Sequence, residues 1–292
     1  MLLIVGTIPR QDFPLVAGEV QLCGQEISLQ GNRVPVNRGT PALIAAAIQT
    51  LNTLGQPPPF ACLVGDIGRG AGSRKLYEHL VDNFPQNGFG TLVFHYLLPD
   101  VDWHNRVLFA IEALSRRPTL IADAGFMYAA KMSGQAMEYD LFTPDVGELA
   151  FLADEEAPHP FYTRGFILHD DNRVPDLIAR AYSHDNAARN LLVKGSIDYL
   201  AAPQGIVATV DRPCTAALEA IGGTGDTLTD IVAALIDAGR EVGDAAVMAA
   251  RTNRRAGDLA QPTPATQVKE IIRQIPAALT EVLHSSGSPE TR

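Results

Sequence analysis

Short apolar, β-rich runs alternate with helix-periodic segments along most of the chain, and this alternation is what most constrains its fold. Strand-like runs occupy 2–5, 60–64, 91–96, 119–122, 140–142 and 190–193. Between and after them lie helical patterns at 41–54, 73–84, 102–114, 175–182, 244–257 and 265–284, with a helical turn beginning at 148–152. The 41–54 segment is rich in alanine and has Pro41 at its opening, where a proline suits a helix. In 73–84, Leu76, Leu80 and Phe84 fall four residues apart, one face of a helix. Pro203-Gln204-Gly205 separates two strand-like runs, 199–202 and 206–210, as a hairpin turn would. Strands alternating with helices predict a mostly parallel sheet covered by helices on both faces, a three-layer α/β/α fold. No repeat or low-complexity linker divides the chain, so a single domain is expected over 1–284, followed by a flexible polar tail at 285–292.

Composition narrows the function. The formal net charge of −10, with no run of Lys and Arg, argues against nucleic acid as a partner. No stretch approaches the roughly 20 apolar residues that span a bilayer, so no membrane partner is expected. Cys23, Cys62 and Cys214 are far apart, odd in number and outside any metal-ligand spacing, a usage that fits the reducing cytoplasm. Nothing here fixes the oligomeric state, and a homo-oligomer stays open.

The segment with most chemistry is Gly222-Gly223-Thr224-Gly225-Asp226, followed by an apolar helix to about Ala238 that Gly239 closes. Glycines let backbone N–H groups approach an anion closely, and the helix behind them aims its own free N–H groups and positive dipole end at the same point. A phosphate fits there. Asp226 falls in the first helical turn, where its carboxylate can take the proton of an attacking hydroxyl. A Gly-rich turn with Thr224 or Asp226 as an ordinary N-cap would leave the same pattern. It is not a Walker A loop, since no Gly-Lys-Ser/Thr follows.

The run GGTGDTLTDIVAALIDAG resembles the anion-hole motif of the ribokinase superfamily, written there as G-[AT]-G-D. It is similar in particular to GGTGDVLTGIIAAL of the carbohydrate-kinase-like proteins that include the ATP- or ADP-dependent NAD(P)H-hydrate dehydratases. Three more segments agree in order: LIADAGFM at 120–127, FTPDVGELAFL at 142–152 and LLVKGS at 191–196 resemble that group's LDADAL, TPHPGEMARL and VLKGA. The similarity runs over about 118–260. Several positions depart from it. Gly125 stands for the second acid of DAD, Asp145-Val146 for His-Pro, and Asp230 for the Gly after LT. The Gly-Asn-Pro before the anion hole is missing, and Tyr96-Leu97-Leu98-Pro99-Asp100 replaces a GPGLG loop.

The resemblance implies a ribokinase-like fold and a set of roles. Asp226 is the catalytic base, and Gly222, Gly223, Thr224 and Gly225 bind the nucleotide phosphates with Lys194. Glu148 helps to hold Mg²⁺ through water. Asn37 and Gly39, in a segment similar to the substrate-side glycines of sugar kinases, and Asp123, at a strand end, are candidate substrate residues. Gly65-Asp66-Ile67-Gly68 is a weaker candidate substrate loop, and His95 and His104 flank the altered 96–100 segment. The implied activity is ATP-dependent phosphorylation of a small, hydroxyl-bearing, carbohydrate-type substrate. A repair lyase that uses ATP or ADP to dehydrate hydrated NAD(P)H shares its first step. A non-catalytic nucleotide-binding protein is the third reading.

Overall fold

The structure is a computed structural model describing residues 1–84, 88–157 and 173–286 of the chain. It divides into two compact units, one of Met1–Ala17 with Ala61–Thr209 and one of Gly18–Phe60 with Val210–Arg292.

The first unit carries a nine-stranded sheet. In chain order its strands are β1 (Leu2–Ile8), β2 (Val16–Glu19), β6 (Phe60–Gly65), β7 (Thr91–His95), β8 (Thr119–Ala122), β9 (Leu141–Phe142), β10 (Leu191–Val193), β11 (Asp198–Ala202) and β12 (Gly205–Val210). Across the sheet the order is β12-β11-β10-β9-β8-β7-β1-β6-β2. β1, β7, β8, β9 and β10 run parallel, with Leu2 opposite Thr91, Leu92 opposite Leu120 and Ile121 opposite Leu141. β11 returns antiparallel to β10. Every residue of β1 is buried, which explains its unbroken apolar sequence: a central parallel strand has no solvent face to alternate toward.

Helices α2 (Ala71–Asp82), α3 (Val101–Glu112), α4 (Ala124–Met132), α5 (Val146–Ala153) and α6 (Val174–Ser183) complete this unit. α4 is a helix the periodicity did not predict. Asp123, read as the end of β8, is also its N-cap, with Oδ1 accepting from the Ala124 N–H at 2.9 Å. One residue thus ends a strand and starts a helix.

The second unit contains α1 (Thr40–Thr53), α7 (Thr224–Asp237), α8 (Val242–Leu259), α9 (Val268–Ile272) and α10 (Ile275–Ser286), with a small antiparallel sheet of β3 (Gln21–Cys23), β4 (Glu26–Leu29) and β5 (Asn32–Pro35). α1 packs on α7 and α10, and α7 on α8. Ala42 to Ala47 of α1 are wholly buried, so its small side chains let neighbouring helices approach closely. The helix expected over 265–284 is two helices. Pro276, with its fixed φ and no N–H, cannot continue a preceding helix, and α9 ends before it. α10 runs to Ser286, and 287–292 of the expected tail lie outside the described residues. Among the described residues no helix is long and apolar enough to cross a membrane.

An aromatic cluster in the first unit surrounds the buried imidazole of His104. The His104 ring lies 5.0 Å from Phe126, which stacks on Phe94 at 4.1 Å, and its Nε2 is 2.9 Å from the Tyr139 hydroxyl. Burial pushes the imidazole pKa down to about 4, against an opposing hydrogen bond to Asn105. The unfolded chain therefore binds a proton below pH ~6.5 that the folded chain refuses until about pH 4. Stability should fall as pH drops through that window, by on the order of 3 kcal/mol from this residue alone. Urea midpoints at pH 7, 5.5 and 4 check this, and His104→Gln should flatten the decline.

Candidate active site

In the second unit the glycine turn and the start of α1 come together. Gly223, the N-cap of α7, has φ 103, a left-handed geometry that a residue with a Cβ adopts only with strain. A Cβ there would also lie 3.2 Å from Val268 Cγ2 and 3.3 Å from the Arg38 Cα. Asp226 sits in the first turn of α7, and its Oδ2 accepts the Gly39 N–H at 2.7 Å. Gly39 is itself the N-cap of α1. The predicted Asn37 and Gly39 segment thus lies beside the predicted anion hole.

Two residues of this group were missed by the sequence reading. Asn253 of α8 donates from Nδ2 to the Thr224 carbonyl at 3.0 Å and accepts the Thr227 hydroxyl at 2.7 Å, bracing the first turn of α7. Its place inside an ordinary helical pattern gave no signal. Arg38 is exposed, and its Cδ comes within 3.9 Å of a Cβ built on Gly222. A guanidinium on that side chain would suit phosphate oxygens if the turn binds an anion as expected. Its signal was its place inside Asn37-Arg38-Gly39, where only the neighbours were singled out.

In the first unit, Lys194, Asp123 and Glu148 form a second group. Lys194 follows β10 and donates from Nζ to both oxygens of Asp123, at 3.0 and 2.9 Å. Asp123 is buried at 2% side-chain exposure, and Lys194 is part-buried at 12%. Asp145 caps α5 and forms a capping box with Glu148. The Glu148 N–H donates to Asp145 Oδ1 at 2.7 Å, and Glu148 Oε2 accepts the Asp145 N–H at 2.8 Å. The Tyr128 hydroxyl donates to Glu148 Oε1 at 3.2 Å. Burial and then repulsion from Asp123 and Asp145 push the Glu148 pKa up, only partly opposed by Lys194. Oxygen donors of this kind suit a hard cation such as Mg²⁺, and Glu148 is the residue that would face it through water.

Other expected residues have structural tasks. Asp66 is buried, and its Oδ1 accepts the N–H groups of Gly68, Arg69 and Gly70 at 2.9, 2.9 and 3.1 Å. Its Oδ2 takes the N–H and hydroxyl of Ser73 at 2.8 and 2.9 Å. Burial opposes its ionisation, but these bonds hold its pKa below the usual value. The loop's N–H groups thus point at its own carboxylate. His95 and His104 are both fully buried.

Comparison with known proteins places this geometry in a family. The family model described as NAD(P)H-hydrate dehydratase, of the carbohydrate-kinase type, matches residues 98–277. The chain belongs to this family. The matched span holds Asp123, Glu148, Lys194 and the glycine turn with Asp226; Asn37, Arg38, Gly39 and Tyr96 precede it. This family member is 41% identical over 244 residues to the uncharacterised protein MJ1337 of Methanocaldococcus jannaschii, across 82% of this chain and 100% of that protein. Among solved structures it is similar to a ribokinase-like superfamily protein of Enterococcus faecalis (TM-score 0.59, 13% identity, 96% of this chain and 87% of that one). It is also similar to Staphylococcus aureus pyridoxal kinase in complex with AMP-PCP and pyridoxal (0.55, 15%, 88% and 88%). A third likeness is to Escherichia coli phosphofructokinase-2 in complex with fructose-6-phosphate (0.54, 13%, 96% and 99%). These likenesses show the expected ribokinase-like α/β fold with its mostly parallel central sheet. As a member of the carbohydrate-kinase and dehydratase family, the protein is an enzyme of the ribokinase superfamily, which removes the non-catalytic reading.

The Asp123–Lys194 pair makes a direct test. Asp123→Ala removes both an ion-pair partner of Lys194 and the N-cap of α4, so it should cost about 3 kcal/mol. Adding Lys194→Met should recover much of that loss. Urea unfolding of the single and double variants measures both, and equal stabilities would show the pair to be uncoupled.

Proposed function

We propose that the protein is an ATP-dependent small-molecule kinase, transferring the γ-phosphoryl group to a substrate hydroxyl with Asp226 as base. The observation that carries this reading is the position of Asp226. It lies in the first turn of α7, directly after a glycine turn built to approach an anion, with one carboxylate oxygen fixed by the Gly39 N–H. A residue that only capped a helix would not need to be an acid beside a phosphate-binding turn.

In this reading the acceptor hydroxyl gives its proton to Asp226 as its oxygen bonds to the γ-phosphorus, and the bond to the bridging oxygen breaks to release ADP. The N–H groups of Gly222, Gly223, Thr224 and Gly225, with the helix dipole behind them, stabilise the charge that develops on the phosphoryl oxygens. Arg38 adds a cation beside the turn. Lys194 contacts a nucleotide phosphate, oriented by Asp123. Bound Mg²⁺ would neutralise phosphate charge, with Glu148 holding it through water. Asn37 and Gly39 are assigned to the substrate side. The structures that share the fold include a kinase bound to AMP-PCP, which supports a nucleotide as co-substrate.

The second reading, an ATP- or ADP-dependent NAD(P)H-hydrate dehydratase, is favoured by the description of the matching family. It keeps the phosphoryl-transfer step and adds elimination of phosphate. We place it second because Gly125 and the 96–100 segment depart from that group on the acceptor side.

Two variants and one assay test the proposal. Asp226→Asn should lower kcat by roughly 10²–10⁴-fold while the thermal shift produced by AMP-PCP is retained; unchanged turnover removes Asp226 from the mechanism. Glu148→Gln should raise the Mg²⁺ concentration needed for half-maximal activity, and an unaltered Mg²⁺ titration rejects its metal role. Offering Mg²⁺-ATP or Mg²⁺-ADP with hydrated NADH, and separately with a panel of small alcohols, separates the two readings. Recovery of NADH absorbance identifies the lyase; a phosphorylated panel member with no such recovery identifies the kinase.

A further inference from the structure

Asp123, Lys194 and Glu148 are all held from one short helix, α4. Asp123 is its N-cap, and the Asp123 carboxylate carries the Lys194 ammonium. Glu148 lies on α5 and is reached from α4 by the Tyr128 hydroxyl, which donates to Oε1 at 3.2 Å. All of these residues belong to the first unit.

α4 is fixed along its length. At its start, a Cβ on Gly125 would lie 2.1 Å from the Leu97 carbonyl oxygen, so the helix backbone passes directly against the 96–100 segment. At its end, Lys131 is buried, and its ammonium donates to the carbonyls of Phe151 and, at 2.6 Å, Asp154. These carbonyls lie at the close of α5, where a helix leaves its last acceptors without intrahelical partners and a lysine suits them. Lys131 Nζ also stands 3.8 Å from the centroid of the Phe151 ring, and the Tyr128 ring meets the same ring edge-on at 5.2 Å. Tyr128 and Lys131 are three residues apart and share a face of α4. One grips the first turn of α5 and the other its last.

This hold bears on what Glu148 can do. Its Oε2 accepts the Asp145 N–H inside the capping box. With that oxygen alone held, the carboxylate plane would still pivot about its terminal torsion, which is soft in Glu. The bond from Tyr128 to Oε1 stops the pivot. A carboxylate oxygen has more than one acceptor position, so Oε1 can take a water while Tyr128 donates to it. Packing against Phe151 needs only the tyrosine ring; the hydroxyl is aimed at the acid.

We propose that Tyr128 is a positioning residue for Glu148: its hydroxyl, carried on a helix anchored by Asp123 and Lys131, sets the carboxylate plane that a hydrated divalent cation would meet. This rests on the Mg²⁺ role given to Glu148 in the reading above.

Mn²⁺, a cation with the same preference for oxygen ligands, is the probe. Its binding to the full chain is read from the loss of the free-ion electron paramagnetic resonance signal. Glu148→Gln should weaken Mn²⁺ binding strongly. Tyr128→Phe keeps the ring against Phe151 and removes only the hydroxyl, so its urea transition should stay cooperative while Mn²⁺ affinity falls about tenfold. The double variant decides how Tyr128 acts. If it works through Glu148, Tyr128→Phe with Glu148→Gln binds Mn²⁺ no worse than Glu148→Gln alone, whereas a residue that only supports the fold costs the same in either background. Weakening by Glu148→Gln with wild-type affinity in Tyr128→Phe, or additive losses in the double variant, overturns the positioning role and leaves the metal role standing. A wild type that does not bind Mn²⁺, or Glu148→Gln that binds it as the wild type does, overturns both.

Discussion

The hydrogen bond from the Gly39 N–H to the Asp226 carboxylate is the interaction on which the second unit's chemistry depends. It joins the N-terminus of α1 to the first turn of α7, two helices that pack closely. A helix leaves its first N–H groups without intrahelical partners, and here one of them is met by a side chain from the neighbouring helix. The positive ends of both helix dipoles also act on that carboxylate. The same local field that steadies Asp226 would favour a phosphate at the glycines beside it, so its position and the proposed ligand preference have one physical origin.

Carboxylates elsewhere show how partners decide what an acid can do. Asp66 accepts bonds from three loop N–H groups and from both the N–H and hydroxyl of Ser73. It is a structural anion occupying its own nest, and it organises the start of α2. Asp123 and Glu148 differ, because one lysine stands among several acids and the Glu148 pKa is raised. Asp123 keeps its charge through the lysine, whereas burial and neighbouring acids favour the protonated form of Glu148.

The sequence was most legible where a residue's local pattern and its task coincide. Continuous apolar strands such as β1 and the alanine-rich α1 announced the parallel sheet and a buried helix. The glycine turn before α7 was readable because its motif is contiguous. Residues that act through space were not. Asn253 braces the first turn of α7 from the middle of α8, and Arg38 lies beside the glycines preceding that turn. Strands β2 to β5 were missed because they are three or four residues long and mostly part-exposed, with little apolar periodicity. α4 was missed because its N-cap had already been read as the end of a strand. Asp66 shows a different limit: Gly65-Asp66-Ile67-Gly68 has the composition of a ligand loop, but the N–H groups of Gly68, Arg69 and Gly70 are taken by the Asp66 carboxylate, a through-space pairing that composition does not show.

The contact between Gly125 and Leu97 has a consequence for how members of this family diverge from one another. An acid at 125 has nowhere to go while the 96–100 segment is seated. A side chain at 125 therefore requires a different 96–100 segment, and a relative that carries an acid there should also carry a differently placed loop. Any effort to interconvert the two forms in the laboratory must move the loop and the residue at 125 as one unit.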